Sequence, residues 1–394
     1  MPPTPDVNTK SRRTGVFRKS TTAGESVQAF VPHPLPPRDP ELQITGVIER
    51  LHAEALVALA RLEVAGRMVP STGWFLYGFV RKEAVVSSQI EGTQATLREV
   101  VTFEATEEAL RPHDVEEVCN YVDAIKFARA QLSDPKGLPI STRLLCETHR
   151  RLMKGVRGAD KAPGQVRRSQ NWIGGSRPGN ARFVPPPPDE VPDAMTKLEQ
   201  WLHSEDPLPP LIKSGLAHVQ FETIHPFLDG NGRIGRLLIA LLLEHWNLLP
   251  SPLLYLSLAF KRRQREYYDH LSAVRTDGDW EGWTKFYLQC VRDAADDGVA
   301  VAGSLFELLG KDRKRLAGHK RSTVAAMQLL DLLPDHPVVT AARVSRLLKV
   351  TAPTARKALE VAAEAGILRE SSGKQRDRVF AYHKYLEILT DGEA

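Results

Sequence analysis

Apolar residues recur at three- to five-residue spacing along most of this chain. Ile48, Leu51, Leu56, Leu59 and Leu62 set the pattern and predict a helix over residues 44–62. The same periodicity predicts helices over 75–90, 115–132, 141–153, 194–203, 212–224, 234–246, 262–274 and 281–302. The second of these runs out at Gly92, a residue favoured just past a helix C-terminus. Strand-like alternation is scarce. Its clearest stretch, 165–184, is broken by Gly174-Gly175 and Pro178-Gly179 and reads as a short hairpin. Pro185 to Pro188 then forbid helix or a central strand. The main body is expected to be all-α with one small β-flap.

Both ends depart from this pattern. Residues 1–40 carry eight prolines and almost no periodicity, so most of them are expected to be disordered, with Phe30 to Pro37 as an extended arm. The tail predicts helices over 322–333, 341–348 and 354–365, then strands over 367–369 and 378–382. Three helices followed by a hairpin make a winged helix-turn-helix. Ala355, Ala358, Leu359, Ala362 and Ala365 form its inward stripe. Arg356 and Lys357 lie on the opposite face, and Lys374, Arg376 and Arg378 furnish a wing suited to duplex DNA. Glu360 and Glu364 share that face and would repel phosphates, which keeps protein docking or a homodimer open. The expected division is a disordered arm over 1–29, an N-terminal helical region over 30–112, a helical core over 113–300, a helical linker over 301–320 and the tail domain over 321–394.

Composition narrows the setting. The chain has 394 residues, 42% of them hydrophobic. No stretch reaches the ~18 apolar residues a membrane span needs; the longest run, 237–243, stops at Glu244. The N-terminus has no apolar signal-peptide core. Cys119, Cys146 and Cys290 lie too far apart for a zinc or disulfide framework, which fits a reducing, cytoplasmic setting without membrane partners. The net charge is +5, and residues 306–394 hold 16 Lys and Arg against 11 Asp and Glu. A near-neutral body therefore carries a basic appendage.

The chemistry concentrates in His225-Pro-Phe-Leu-Asp-Gly-Asn-Gly-Arg-Ile-Gly-Arg236. Gly230 and Gly232 stand at the mouth of a helix, where converging backbone N–H groups and the helix field favour an anion. Arg233 and Arg236, three apart, can reach one phosphate chain. Asp229 supplies the hard oxygen that Mg²⁺ prefers beside phosphates. His225 can take a proton from an incoming hydroxyl. A base, a metal ligand, an anion cradle and two counter-charges within twelve residues are what nucleotidyl or phosphoryl transfer requires.

This string resembles, at every defining position, the Fic (filamentation-induced-by-cAMP) signature H-P-F-x-[D/E]-G-N-G-R-x-x-R. The segment from Gln165 to Gly174 resembles the family's flap, and Tyr267-Tyr-Asp-His-Leu271 and Trp280-Glu-Gly-Trp283 resemble its later motifs. The resemblance covers roughly residues 30–300. It implies a Fic-type helical bundle that moves AMP from ATP onto a Tyr, Thr or Ser hydroxyl of a target protein. His225 would be the base, and Asp229 would hold Mg²⁺. Gly230, Asn231 and Gly232 would cradle the phosphates, with Arg233 and Arg236 as counter-charges. Trp172, Ile173 and Gly174 would clamp an extended target segment by backbone pairing. Ser87-Ser-Gln-Ile-Glu-Gly92 resembles the family's inhibitory helix, in which Ser87 and Glu91 share a face and Glu91 would pair with Arg236 in place of the γ-phosphate. Some relatives also remove AMP. Two alternatives stay open: an enzyme that works in both directions, and a DNA-binding regulator with a nucleotide-sensing helical body.

Overall fold

In the computed structural model, which describes residues 13–38, 41–67, 72–106, 112–373 and 377–391, the amphipathic faces read from the sequence close on a single core. Strands β1 (Gly15–Thr22) and β2 (Glu25–Pro32) come first, then helices α1 (Val47–Arg67), α2 (Thr72–Ile90), α3 (Leu97–Thr106), α4 (Pro112–Ser133) and α5 (Thr142–Leu152). The centre follows as α6 (Val191–His203), α7 (Pro210–Ile224), α8 (Asn231–His245), α9 (Leu256–Arg262), α10 (Gln264–Asp277) and α11 (Trp280–Ala317). The tail is α12 (Val324–Leu332), β3 (Val338–Thr340), α13 (Ala341–Leu348), α14 (Ala352–Glu364), β4 (Arg369–Glu370), β5 (Val379–Ala381) and α15 (His383–Thr390).

Helix α7 is the axis of the body. Every residue from Leu211 to Ile224 is buried, so its polar members must find partners inside. Ser214 Oγ meets Tyr287 Oη at 2.7 Å, and His218 Nε2 meets Tyr267 Oη at 2.8 Å. Helix α1 lies along α11, and Gly298 permits the approach; a Cβ there would sit 2.9 Å from Leu62 Cδ1. Among the described residues no helix is long and apolar enough to cross a membrane.

Several expectations need correction. The N-terminal segment is ordered from residue 13, because β1 and β2 pair antiparallel about a turn at Ala23 and Gly24, both left-handed. Val27 and Ala29 bury against Val184 and Trp172, and Phe30 N–H donates to Val184 O at 2.9 Å. Residues 1–12 lie outside the described residues. The flap is not a regular hairpin: Ile173 and Phe183 form one isolated bridge, and a 3-10 turn at Pro178–Asn180 takes up the tip. The helix expected over 281–302 is longer, since α11 runs unbroken for 38 residues. The helix expected over 262–274 is α10, which starts at Gln264, and a short helix that the spacing did not predict, α9, precedes it and ends at Arg262.

The tail helices fall where the pattern put them, and the inward stripe of α14 is buried. Its sheet has three strands in the order β3-β5-β4. Lys374 and Arg376 lie outside the described residues. The tail packs on α2 and α3. Arg343 donates to the Glu104 carbonyl, and the Glu104 carboxylate holds Arg81 Nη2 at 2.7 Å. Gly78 lets α15 close in; a Cβ there would lie 2.9 Å from Leu389 Cδ1.

Candidate active site

Helix α7 ends at His225, which adopts the left-handed conformation (φ 51°, ψ 61°) and turns the chain into the loop before α8. Asn231 closes that loop: its Oδ1 accepts from Phe227 N–H and its Nδ2 donates to Phe227 O, both at 2.8 Å. The loop is also held from α5. The His149 ring stacks on Phe227 at 3.9 Å, its Nδ1 accepts from Gly164 N–H, and its Nε2 lies 3.0 Å from Asp229 O. Since Nδ1 is the acceptor, Nε2 carries the proton and donates. Burial pushes His149 down to about 4, which keeps this tautomer neutral.

Gly230 opens α8 in the left-handed region, φ 75°. The first N–H groups of α8, at Asn231, Gly232 and Arg233, have no acceptor within their own helix and form an anion nest. An oxygen already sits beside it. A Cβ on Gly232 would meet Glu91 Oε1 at 2.1 Å, so the glycine leaves the room that this carboxylate fills. Glu91 follows the last residue of α2 and pairs with Arg236, Oε1 to Nη2, at 2.7 Å. Arg236 is bound again by Ser87: Nε donates to Oγ and Nη2 to the carbonyl, each at 2.9 Å. Burial alone would raise the Glu91 carboxyl, but Arg236, with Arg233 and His225 behind it, pulls it below the ordinary range.

Two of the expected nest residues have partners of their own. The Asn231 side chain is spent on the loop, so only its backbone faces the nest. Arg233 is buried behind the nest, where Nη1 meets Glu117 Oε2 at 3.2 Å and Nη2 lies 3.7 Å from Asp229 Oδ1. Asp229 remains at the surface, its side chain 41% exposed, while its Oδ1 accepts from Gly230 N–H at 2.6 Å. No group of three or more His, Cys, Asp or Glu among the described residues could hold a metal. A lone exposed carboxylate beside an anion nest fits a cation held mainly by substrate phosphates.

His225 is half-buried, and its Nδ1 has no hydrogen-bond partner among the described residues. Burial, then the charge of Arg167, push the imidazole down to about 4 against the opposing pull of Glu91. The ring is neutral at physiological pH. Glu222, one turn earlier on α7, is pushed up to about 7 by burial.

The flap flanks the loop. Asn171 Nδ2 donates toward Leu228 O at 3.3 Å, and Arg275 of α10 lies over the Phe183 ring at 3.9 Å. Trp172 is half-buried against β2, Ile173 bridges Phe183, and Gly174 is exposed at the turn. His149, Glu117 and Arg167 escaped the sequence reading. Each lies far from the motif along the chain; Glu117 and His149 sit in periodic helical segments and Arg167 in the flap, where a single side chain carries no signal of what it will meet.

Comparison with known proteins agrees with this geometry. The profile described as "Fic/DOC family" matches residues 139–243, and "Fic/DOC family N-terminal" matches 49–130. The curated Protein adenylyltransferase Fic of Drosophila grimshawi is 30% identical over 212 residues, 52% of this chain and 40% of that one. That of Drosophila erecta is likewise 30% identical over 212 residues, with 52% and 39% covered. The chain thus spans about two fifths of the length of these relatives. The crystal structure of a Fic family protein from Desulfovibrio desulfuricans G20 shares the fold, with a TM-score of 0.55 at 24% identity over 86% of this chain and 97% of that one.

Proposed function

We propose, from the premise that the chain belongs to the Fic/DOC family, that it is a protein adenylyltransferase held in check by its own Glu91. ATP is the donor, and AMP passes to a Tyr, Thr or Ser hydroxyl of a target protein. The observation that carries the reading is the site at the start of α8. A carboxylate stands beside Gly232 and against Arg236, in a place fitted to a phosphate.

The neutral His225 imidazole accepts the proton of the target hydroxyl. The oxygen attacks the α-phosphorus while the bond to the bridging oxygen breaks and pyrophosphate leaves. The N–H groups of Asn231, Gly232 and Arg233 hold phosphate oxygens, and Arg236 supplies positive charge once Glu91 has withdrawn. Arg233, anchored by Glu117, contributes field from behind the nest. Asp229 would hold Mg²⁺ together with the phosphates, and the bound ion would offset their charge. Along Trp172, Ile173 and Gly174, the backbone edge facing away from the Ile173–Phe183 bridge pairs with an extended segment of the target whatever its side chains. Mass spectrometry of lysate proteins after incubation with ATP and the Glu91→Gly variant should find adenylyl groups on hydroxyl side chains. Phosphoryl groups instead would replace this reading with a kinase.

For the tail, a winged helix-turn-helix that contacts duplex DNA is the reading supported by exposed Arg356 and Lys357 on α14. Glu364, which would oppose DNA, is paired with Arg321. The full chain should then bind duplex DNA with affinity falling steeply as salt rises. No binding at low salt would favour protein docking.

A further inference from the structure

We propose that Arg167 is the positioning residue of the catalytic turn, fixing His225 in its left-handed conformation and tying that base to the flap. The inference rests on the reading of His225 as the general base.

The terminal carbonyls of a helix have no partners of their own, and His225 sits in a conformation sparsely populated by residues other than glycine. Arg167 answers both needs. Its Nε donates to His225 O at 2.8 Å and its Nη2 reaches Ile224 O at 3.4 Å. Its backbone N–H donates to Pro226 O at 2.9 Å. Three consecutive carbonyls are held by one residue. The remaining reach of the guanidinium goes to both sides of the flap base: Nη1 to Ser169 O at 3.2 Å and Nη2 to Pro186 O at 2.5 Å.

Arg167 is 2% exposed, and among the described residues it has no carboxylate partner. A buried cation without a counter-ion is costly to keep. Here a planar fork of donors matches a cluster of carbonyls, an arrangement a lysine cannot reproduce. Burial lowers Arg167 to about 10, which leaves it charged at neutral pH. The charge also acts on the base. The groups facing His225 are Arg167 from the flap, Arg275 from α10, Glu91 from the end of α2 and Glu222 on α7 itself. After burial, Arg167 is the strongest influence holding the imidazole neutral.

The test is AMP transfer as a function of pH and ATP concentration, for Arg167→Lys and Arg167→Gln, in both the parent and Glu91→Gly chains. Arg167→Lys keeps the charge and loses the fork. Transfer should fall ~10²-fold through misplacement of the base, with KM for ATP and the acid limb of the pH profile unmoved. Arg167→Gln loses both; the same fall should be joined by an acid limb displaced to higher pH, because the imidazole then protonates more readily. Transfer by Arg167→Lys at the parental rate would overturn the proposal, whether or not Arg167→Gln folds. A loss expressed in KM for ATP with the limb unmoved in Arg167→Gln would overturn it too. His225→Ala separates the two claims. If it still transfers AMP, the base assignment fails. If it is inactive while Arg167→Lys is fully active, only the role of Arg167 fails.

Discussion

Replacing Glu91 by Gly should raise AMP transfer by about 10²-fold. The Glu91 carboxylate lies 2.7 Å from Arg236 Nη2 and within 2.1 Å of where a Cβ on Gly232 would stand, so a phosphate oxygen cannot enter unless it leaves. Two like charges about 4 Å apart repel by ~1–4 kcal/mol between bulk water and a protein surface, and each 1.36 kcal/mol is about tenfold in rate. An ATP that binds in a displaced pose loses ~10²-fold by misalignment alone, the same order by a separate route. Stability should fall slightly. Breaking a fully buried pair costs ~3–5 kcal/mol, but the Glu91 side chain is 33% exposed and Arg236 keeps both Ser87 bonds, so about 1–2 kcal/mol is expected. Glu91 follows the last residue of α2, so glycine there interrupts no helix. The assay is incorporation of α-labelled nucleotide into the chain's own hydroxyls at saturating ATP and Mg²⁺, with Glu91→Gln as the shape-preserving control. Arg236→Ala should stay inactive in the Glu91→Gly background, because the phosphates need that arginine. Equal incorporation by Glu91→Gly and the parent would refute the brake.

Asn231→Ala should cost about 1–3 kcal/mol by stranding the buried N–H of Phe227 and leaving its C=O only the 3.4 Å contact from Asn171 Nδ2; an unchanged denaturant midpoint would mean that the side chain does not hold the loop. The pH dependence of stability follows from opposing groups. His149, His218, His225 and His336 are pushed by burial down to about 4, 3, 4 and 4, so the unfolded chain binds more protons there and stability is lost as pH falls below about 6.5. Glu83 and Glu222, pushed up to about 7 by burial, act in the opposite sense as pH rises from about 4.5 to 7. Four histidines outweigh two glutamates, so the thermal midpoint should drop from pH 6.5 to 5; a midpoint that rose over this interval would contradict these burials.

The long helices were legible because their apolar stripes are continuous, and α13 falls at 341–348 as read from its spacing. The turn from His225 into the start of α8 was legible because its parts are contiguous. The β1–β2 pair was not. Val27 and Ala29 do alternate inward, but the surrounding prolines dominate the composition, and the Ala23-Gly24 turn lacks the Asn-Gly or Asp-Gly pair that announces a hairpin. Helices α3 and α15 are short, and α15 owes its burial to α2 and α11, which local pattern cannot reveal. The pairing of Glu91 with Arg236 was readable only by resemblance to a family. Arg167 was beyond reach, since its partners are backbone carbonyls with no mark in the sequence.

Two labels decide whether AMP is the group transferred and His225 the base. The Glu91→Gly chain and the Glu91→Gly, His225→Ala double variant would be incubated with α- and γ-labelled ATP, and protein-bound label counted after denaturation; nucleotide binding would be measured separately. Label should come from the α position only, and should be absent in the double variant although that chain still binds ATP through the start of α8. Protein-bound label from the γ position, or undiminished α label without His225, would contradict these assignments.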